Sequence, residues 1–135
     1  MLKGRCLCAQ IKYTLSDAPL LLENCHCNIC RKLHGSAYTT FAKVKASDLE
    51  FVAGHSLLVR YQSSPKVQRS FCKNCGGKLT FEWEQQPDYI WLVAGTLDDD
   101  PKLKPKFHIF FESKASWHEI HDNLPKYRGF PPPDP

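Results

Sequence analysis

Seven cysteines carry most of the chemistry in this chain of 135 residues. They form three runs: Cys6-x-Cys8, Cys25-x-Cys27-x-x-Cys30 and Cys72-x-x-Cys75. An odd number cannot pair completely within one chain, and runs this tight have the spacing of metal ligands rather than of a disulfide framework. The opening Met1-Leu2-Lys3-Gly4-Arg5-Cys6 lacks the apolar stretch of a secretory signal. The sequence therefore reads as cytoplasmic, where thiols stay reduced and bind metal.

The runs divide four plus three. Cys6 and Cys8, read as part of a strand, would project their sulfurs from one face. The turn Phe71-Cys72-Lys73-Asn74-Cys75-Gly76-Gly77 offers two more sulfurs, with glycines that let backbone amides approach them. Four thiolates close a tetrahedral zinc site of the structural kind. Cys25, Cys27 and Cys30 leave one position to fill. Either a histidine closes it, with His34 better placed than His26, or it stays open, as in catalytic zinc sites.

Ligand charge narrows the reaction. Three thiolates on a divalent zinc give a net negative site, poor at acidifying water and suited to taking another soft sulfur donor. Carbon–sulfur or sulfur-transfer chemistry follows more naturally than hydrolysis. Arg31 and Lys32 come next after the last of these cysteines and could attract an anionic thiol, or could equally be solvated helix residues. His26, His34 and water are alternative proton carriers. His118-x-x-His121 and Asp98-Asp99-Asp100 are read as surface and turn, and Trp83, Trp91, Trp117, Phe110 and Phe111 as core. The sequence contains no glycine-rich phosphate loop and no nucleophile elbow.

These sites must be held by short strands. Leu7, Ala9, Ile11, Tyr13 and Leu15 alternate with other residues in period two, as do Leu79, Phe81 and Trp83. Leu57 to Tyr61, Val67 to Cys72, Tyr89 to Ala94 and Phe107 to Phe111 are rich in β-branched and aromatic residues, and Gly, Pro, Asn and Asp clusters separate them. Asn28 to His34 predicts a helix of about two turns stopped by Gly35, and Ser116 to Asn123 a second short turn of helix. The segment Gly129 to Pro133 predicts an extended tail. The expectation is a mainly β, largely antiparallel fold in one domain spanning residues 1–135, without internal repeats.

Composition sets outer limits. Eighteen Lys and Arg against fourteen Asp and Glu give a net charge of +4. The basic residues are dispersed and the isoelectric point is about 8.7, which argues against a dedicated nucleic-acid binder. No apolar run reaches the roughly 20 residues of a membrane helix.

The motifs Gly4-Arg5-Cys6-Leu7-Cys8, Cys25-His26-Cys27-Asn28-Ile29-Cys30-Arg31-Lys32 with Gly35-Ser36-Ala37, and Phe71-Cys72-Lys73-Asn74-Cys75-Gly76 resemble those of the glutathione-dependent formaldehyde-activating enzyme and centromere protein V family. Looser matches run on through His108-Ile109-Phe110, Trp117 and Leu124-Pro125. The resemblance implies a β-tent fold, a structural zinc at Cys6, Cys8, Cys72 and Cys75, and a catalytic zinc at Cys25, Cys27 and Cys30. It also implies carbon–sulfur lyase activity, with glutathione as cosubstrate and formaldehyde as its partner. Ala9 departs from the glycine usual after the Cys-x-Cys pair. The alternative is a binding module for protein or nucleic acid with both zincs structural; a redox switch at Cys25, Cys27 and Cys30 is a third reading. The oligomeric state is not legible.

Overall fold

Strands rich in β-branched and aromatic residues, cut by glycine and proline turns, build two sheets in the computed structural model, which describes residues 1–132. The strands are β1 (Leu2–Arg5), β2 (Lys12–Leu15), β3 (Leu21–Cys25), β4 (Thr39–Lys45), β5 (Leu49–Ala53), β6 (Leu58–Ser64), β7 (Val67–Cys72), β8 (Lys78–Trp83), β9 (Tyr89–Val93) and β10 (Pro105–Ile109), with one α-helix, α1 (Asn28–His34). A three-stranded sheet runs β1-β2-β5, and a seven-stranded sheet runs β10-β3-β4-β9-β8-β7-β6. The mainly β expectation holds.

The two faces of the large sheet serve different ends. Ala42, Val44, Leu79 and Leu92 face the small sheet and bury Ile11, Tyr13 and Leu15 between the layers. Each fully buried Leu, Ile or Val among them contributes about 1.5–3 kcal/mol. The Tyr13 hydroxyl meets Thr96 Oγ1 at 2.7 Å, and burial pushes its phenol above the usual range. Gly4 lies against that ring: a Cβ there would stand 2.1 Å from the Tyr13 oxygen. The opposite face carries Cys25, Phe41, Trp91, Phe107 and Ile109. That second face holds the site.

Several sequence expectations are corrected. Leu7 to Leu15 is not one strand, since β2 begins only at Lys12. Cys6 and Cys8 lie in the turn before it, where Ala9 N–H donates to the Cys6 carbonyl at 3.0 Å and Leu7 is 87% exposed. Ala9 adopts φ 66°, the left-handed conformation that favours glycine. Strand β10 pairs with β3 in parallel, the exception to the antiparallel pattern. Both edges of the preceding β9 are occupied, by β4 and β8, so the chain crosses over to the free edge beside β3.

In β8 the pairing to β7 slips between Ser70 and Phe71, leaving Leu79 as an extra residue. The bulge sends Leu79 to the inter-sheet core and Phe81 and Trp83 to the other face. Thr80 is buried, with its hydroxyl on Ser70 at 2.5 Å. Ser116 and Trp117 form a turn and residues 118–123 no helix, the Lys114 ammonium donating to the His118 carbonyl. Trp117 is 70% exposed rather than in the core. The tail expectation reaches Pro133, which lies outside the described residues; Gly129 accepts the Phe110 amide at 3.3 Å. Within the described residues no helix is long and apolar enough to cross a membrane.

Candidate metal centres

Two turns, one from each sheet, bring the first four sulfurs together. The Cys6–Ala9 turn follows β1, and the turn holding Cys72 and Cys75 joins β7 to β8. Cys6 and Cys8 Sγ lie 3.6 Å apart, and Cys8 and Cys72 Sγ 3.8 Å apart. Sulfurs around a tetrahedral zinc with bonds of about 2.3 Å are separated by about 3.8 Å, so this set fits that ion. Backbone amides approach the sulfurs: Ile11 N lies 3.4 Å from Cys6 Sγ, and Gly77 N lies 3.4 Å from Cys75 Sγ. Gly76, at φ 76°, makes the tight turn possible. Amide donors lower the cost of concentrated thiolate charge, and hydrogen bonds from the Cys8 and Gly77 backbone pull Cys75 down to about 6.

Cys25, Cys27 and Cys30 converge at the junction of β3 and α1. Cys25 ends the strand, Cys27 is the helix N-cap, and Cys30 sits in the first turn. Cys27 Sγ accepts the Cys30 amide at 3.2 Å, the bond a capping residue makes. Gly35, at φ 61°, ends the helix with its N–H on the Arg31 carbonyl, so α1 has the predicted bounds. Cys30 and Cys25 Sγ are 3.4 Å apart. The three thiols share their protons unevenly. Hydrogen bonds from Cys25 and Cys30 hold Cys27 far below the ordinary thiol range, while the same contacts and burial push Cys25 up.

Only these two cysteine groups, among the described residues, gather His, Cys, Asp or Glu closely enough to hold a metal. The second group contains three residues and no fourth. His34, the expected candidate, instead packs its ring against Phe41 at 6.0 Å. Burial, then the positive charges of Arg69 and Lys78, lowers its imidazole to about 4. His26 points away from the three sulfurs, as an extended Cys25–Cys27 segment requires.

The three sulfurs open onto a cavity of about 250 Å³ walled by Phe41, Phe81, Trp83, Trp91, Phe110 and Phe130. Trp91 is buried as expected and also lines the cavity, whereas Trp83 and Phe110, expected as core, are half-buried in its wall. Two buried polar residues enter it, Glu23 and Arg69. Arg69 donates from Nε to Ser63 Oγ at 2.9 Å and from NH1 towards Cys30 Sγ at 3.5 Å, with its guanidinium over the Phe81 ring at 5.0 Å. Burial raises the Glu23 carboxyl to about 7, against the opposing pull of the Trp91 indole and Lys43. Arg31 and Lys32 do not line this cavity. Arg31 is bound to Asn28 Oδ1 at 2.7 Å, and Lys32 borders a separate groove with Lys78.

Glu23 and Arg69 were not singled out by the sequence. The available signal was a charged residue on the inward register of a buried strand, Glu23 two before Cys25 and Arg69 three before Cys72. Behind the site, His26 Nε2 lies 2.8 Å from His108 Nδ1, and His108 Nε2 lies 2.9 Å from the Asp122 carboxylate. The Asp122 carboxylate accepts, so His108 donates to it from Nε2. The remaining His26 Nδ1 is buried without a partner among the described residues. His118 lies tilted against the Tyr38 ring at 5.7 Å and His121 is exposed beside Glu119, so that pair forms no metal site.

Comparison with known proteins gives concordant results. The sequence model of the family described as "Glutathione-dependent formaldehyde-activating enzyme" matches residues 1–113. A Halomonas elongata protein provisionally named a glutathione-dependent formaldehyde-activating enzyme is 28% identical over 127 residues, covering 89% of this chain and 81% of its own. An uncharacterized lyase of Schizosaccharomyces pombe is 34% identical over 100 residues, or 69% of each chain. The crystal structure of a Rhodobacter sphaeroides protein superposes with a TM-score of 0.62 at 23% identity, covering 73% of this chain and 89% of that one. This last likeness is one of fold.

Proposed function

Because the chain belongs to the glutathione-dependent formaldehyde-activating enzyme family, we propose that it is a zinc-dependent carbon–sulfur lyase that joins a small thiol to an aldehyde and splits the adduct. Glutathione and formaldehyde, giving S-hydroxymethylglutathione, are the pair the family description implies. The observation that carries this reading is the unequal division of the sulfurs. Four form a closed set, whereas three gather without a fourth His, Cys, Asp or Glu among the described residues and face a cavity. In this reading Cys6, Cys8, Cys72 and Cys75 hold a structural zinc, and Cys25, Cys27 and Cys30 a catalytic one.

Cys25, Cys27 and Cys30 would hold the zinc, which when bound would accept a further soft donor and favour the deprotonated form of an incoming thiol. The chain's own residues do the remainder. Ring walls exclude water from the reacting sulfur. The Arg69 guanidinium, 3.5 Å from Cys30 Sγ, offsets part of the negative charge concentrated there. As the sulfur–carbon bond forms, the thiol proton ends on the former carbonyl oxygen. That new hydroxyl needs a polar partner in an apolar cavity, and the Glu23 carboxyl stands in the wall to provide it.

Cobalt substitution tests the proposal, because the sulfur-to-metal charge-transfer band reports the number of bound thiolates. Adding glutathione should intensify the band, and Cys30→Ser should abolish the response. A band unmoved by glutathione or cysteine would overturn the thiol reading in favour of a binding module with two structural metals.

A further inference from the structure

The cavity above Cys25, Cys27 and Cys30 is larger and more apolar than formaldehyde requires. It holds about 250 Å³, against about 30 Å³ for a water-sized molecule. A one-carbon carbonyl would leave most of it unfilled, and ring walls facing empty space forgo dispersion contacts. The charged arms of glutathione do not match the interior either. Its two carboxylates and ammonium would meet one buried guanidinium, Arg69, already engaged by Ser63 and Cys30, and one buried carboxyl, Glu23. Unpaired charge is costly to bury, so only the cysteinyl arm of such a thiol would reach the sulfurs.

The walls state what fills the remaining space. Phe81 and Trp91 meet edge to face at 5.3 Å and 87°. Trp83 and Phe130 stack at 5.2 Å and 11°, and Phe110 stands edge-on to Phe130 at 5.1 Å. Faces and edges of this kind accept a further ring in offset or T-shaped contact.

We infer that the carbon partner carries a ring-sized apolar group, so that the cavity takes an aromatic or bulky aliphatic aldehyde rather than formaldehyde alone. This inference rests on the thiol–aldehyde reading above. In the forward step the thiol sulfur bonds the carbonyl carbon, the carbonyl double bond opens, and the thiol proton goes to its oxygen. The product is a hemithioacetal. The reverse step restores thiol and aldehyde, and neither direction needs an oxidant or a reductant. Phe130 closes the outer wall. It is 44% exposed and lies far along the chain from the cysteines, so its ring can be removed without touching a sulfur.

The zinc-replete protein tests the inference through binding and through turnover. Benzyl alcohol and cyclohexylmethanol mimic the ring without reacting with thiols or amines, and ethanol is their small counterpart. Quenching of Trp83 and Trp91 fluorescence, checked by saturation-transfer NMR, reads their binding. At about fourfold per buried methylene, and with only about half of its five additional carbons' area buried, benzyl alcohol should bind about thirtyfold more tightly than ethanol. Phe130→Ala should weaken it about fivefold, with zinc content unchanged. Equal binding of benzyl alcohol and ethanol, or a Phe130→Ala variant that binds benzyl alcohol normally, would overturn the inference.

Should that variant fail to fold, an aldehyde series on the unaltered protein decides. With one thiol held fixed, kcat/KM for phenylacetaldehyde should exceed that for acetaldehyde about tenfold or more, and a preference for formaldehyde would overturn the inference. Ring-selective binding without thiol-dependent turnover would uphold the ligand class and refute the lyase reading. Turnover of formaldehyde without ring binding would do the reverse.

Discussion

Ala9 shows how one residue reports on a metal turn. Its φ of 66° costs an L-residue about 1–2 kcal/mol, and its amide closes the turn that presents Cys6 and Cys8. Ala9→Gly should therefore stabilise the zinc-loaded protein by about 0.5–1 kcal/mol, the gain being reduced by the glycine's greater freedom when unfolded. Urea unfolding measures it; a loss of stability would mean that the alanine methyl packs usefully. The departure from glycine was legible in the sequence, but its backbone cause was not, since φ depends on how the turn wraps its sulfurs. His34 gives a pH prediction. Its folded pKa is about 4 against 6.5 unfolded, so between those values the fold binds fewer protons than the unfolded chain. Its contribution is complete above about pH 6.5 and is lost as pH falls towards 4. Relative to His34→Gln, the unaltered protein should lose about 1–2 kcal/mol between pH 7 and pH 5, allowing for partial exposure. Unfolding midpoints of the two proteins at both pH values check the difference.

Among the elements, α1 was legible because its stop signal, Gly35, is local, whereas its Cys27 cap is seen only in the structure. Strands β7, β8 and β9 were legible for the same reason, through their β-branched and aromatic composition. The bulge at Leu79 and the parallel pairing of β10 were not, because both depend on which sheet edge is free once the other strands are placed. The cavity escaped too: its rings come from β4, β8, β9 and the C-terminal segment, and period-two alternation says only that they are buried. Helix α1 also separates the roles of Cys27. As N-cap its sulfur accepts the Cys30 amide, a bond that a serine oxygen makes at least as well. Cys27→Ser should therefore keep the helix and lower metal affinity at the second group, whereas Cys27→Ala should cost about 1 kcal/mol of stability in addition. Zinc competition and thermal unfolding on the pair separate the two effects. Equal stability of the two variants would show that the cap contributes nothing.

Across the whole molecule, the two cysteine groups do unequal mechanical work. The first joins the turn after β1, in the small sheet, to the turn between β7 and β8, in the large one. Cys8 and Cys72 are 64 residues apart, while Cys25 and Cys30 are 5 apart on a strand end and its adjoining helix. Treated as cross-links, closures of these lengths restrict the unfolded chain by about 4 and about 2 kcal/mol. A metal in the first group would also pin together the layers that bury Ile11, Tyr13 and Leu15, and one in the second would clip a turn that β3 and α1 already hold. Two zinc ions should be found per chain, and a graded chelator should remove the one at Cys25, Cys27 and Cys30 first, with little change in circular dichroism. Removal of the remaining ion, at Cys6, Cys8, Cys72 and Cys75, should coincide with cooperative unfolding, because binding at a site absent from the unfolded chain is itself folding free energy. Cys72→Ser should reproduce that collapse without chelator. Loss of both ions in one step, together with the fold, would show that the three-cysteine group is as structural as the four-cysteine one. The thiol chemistry would then have no exchangeable position to use.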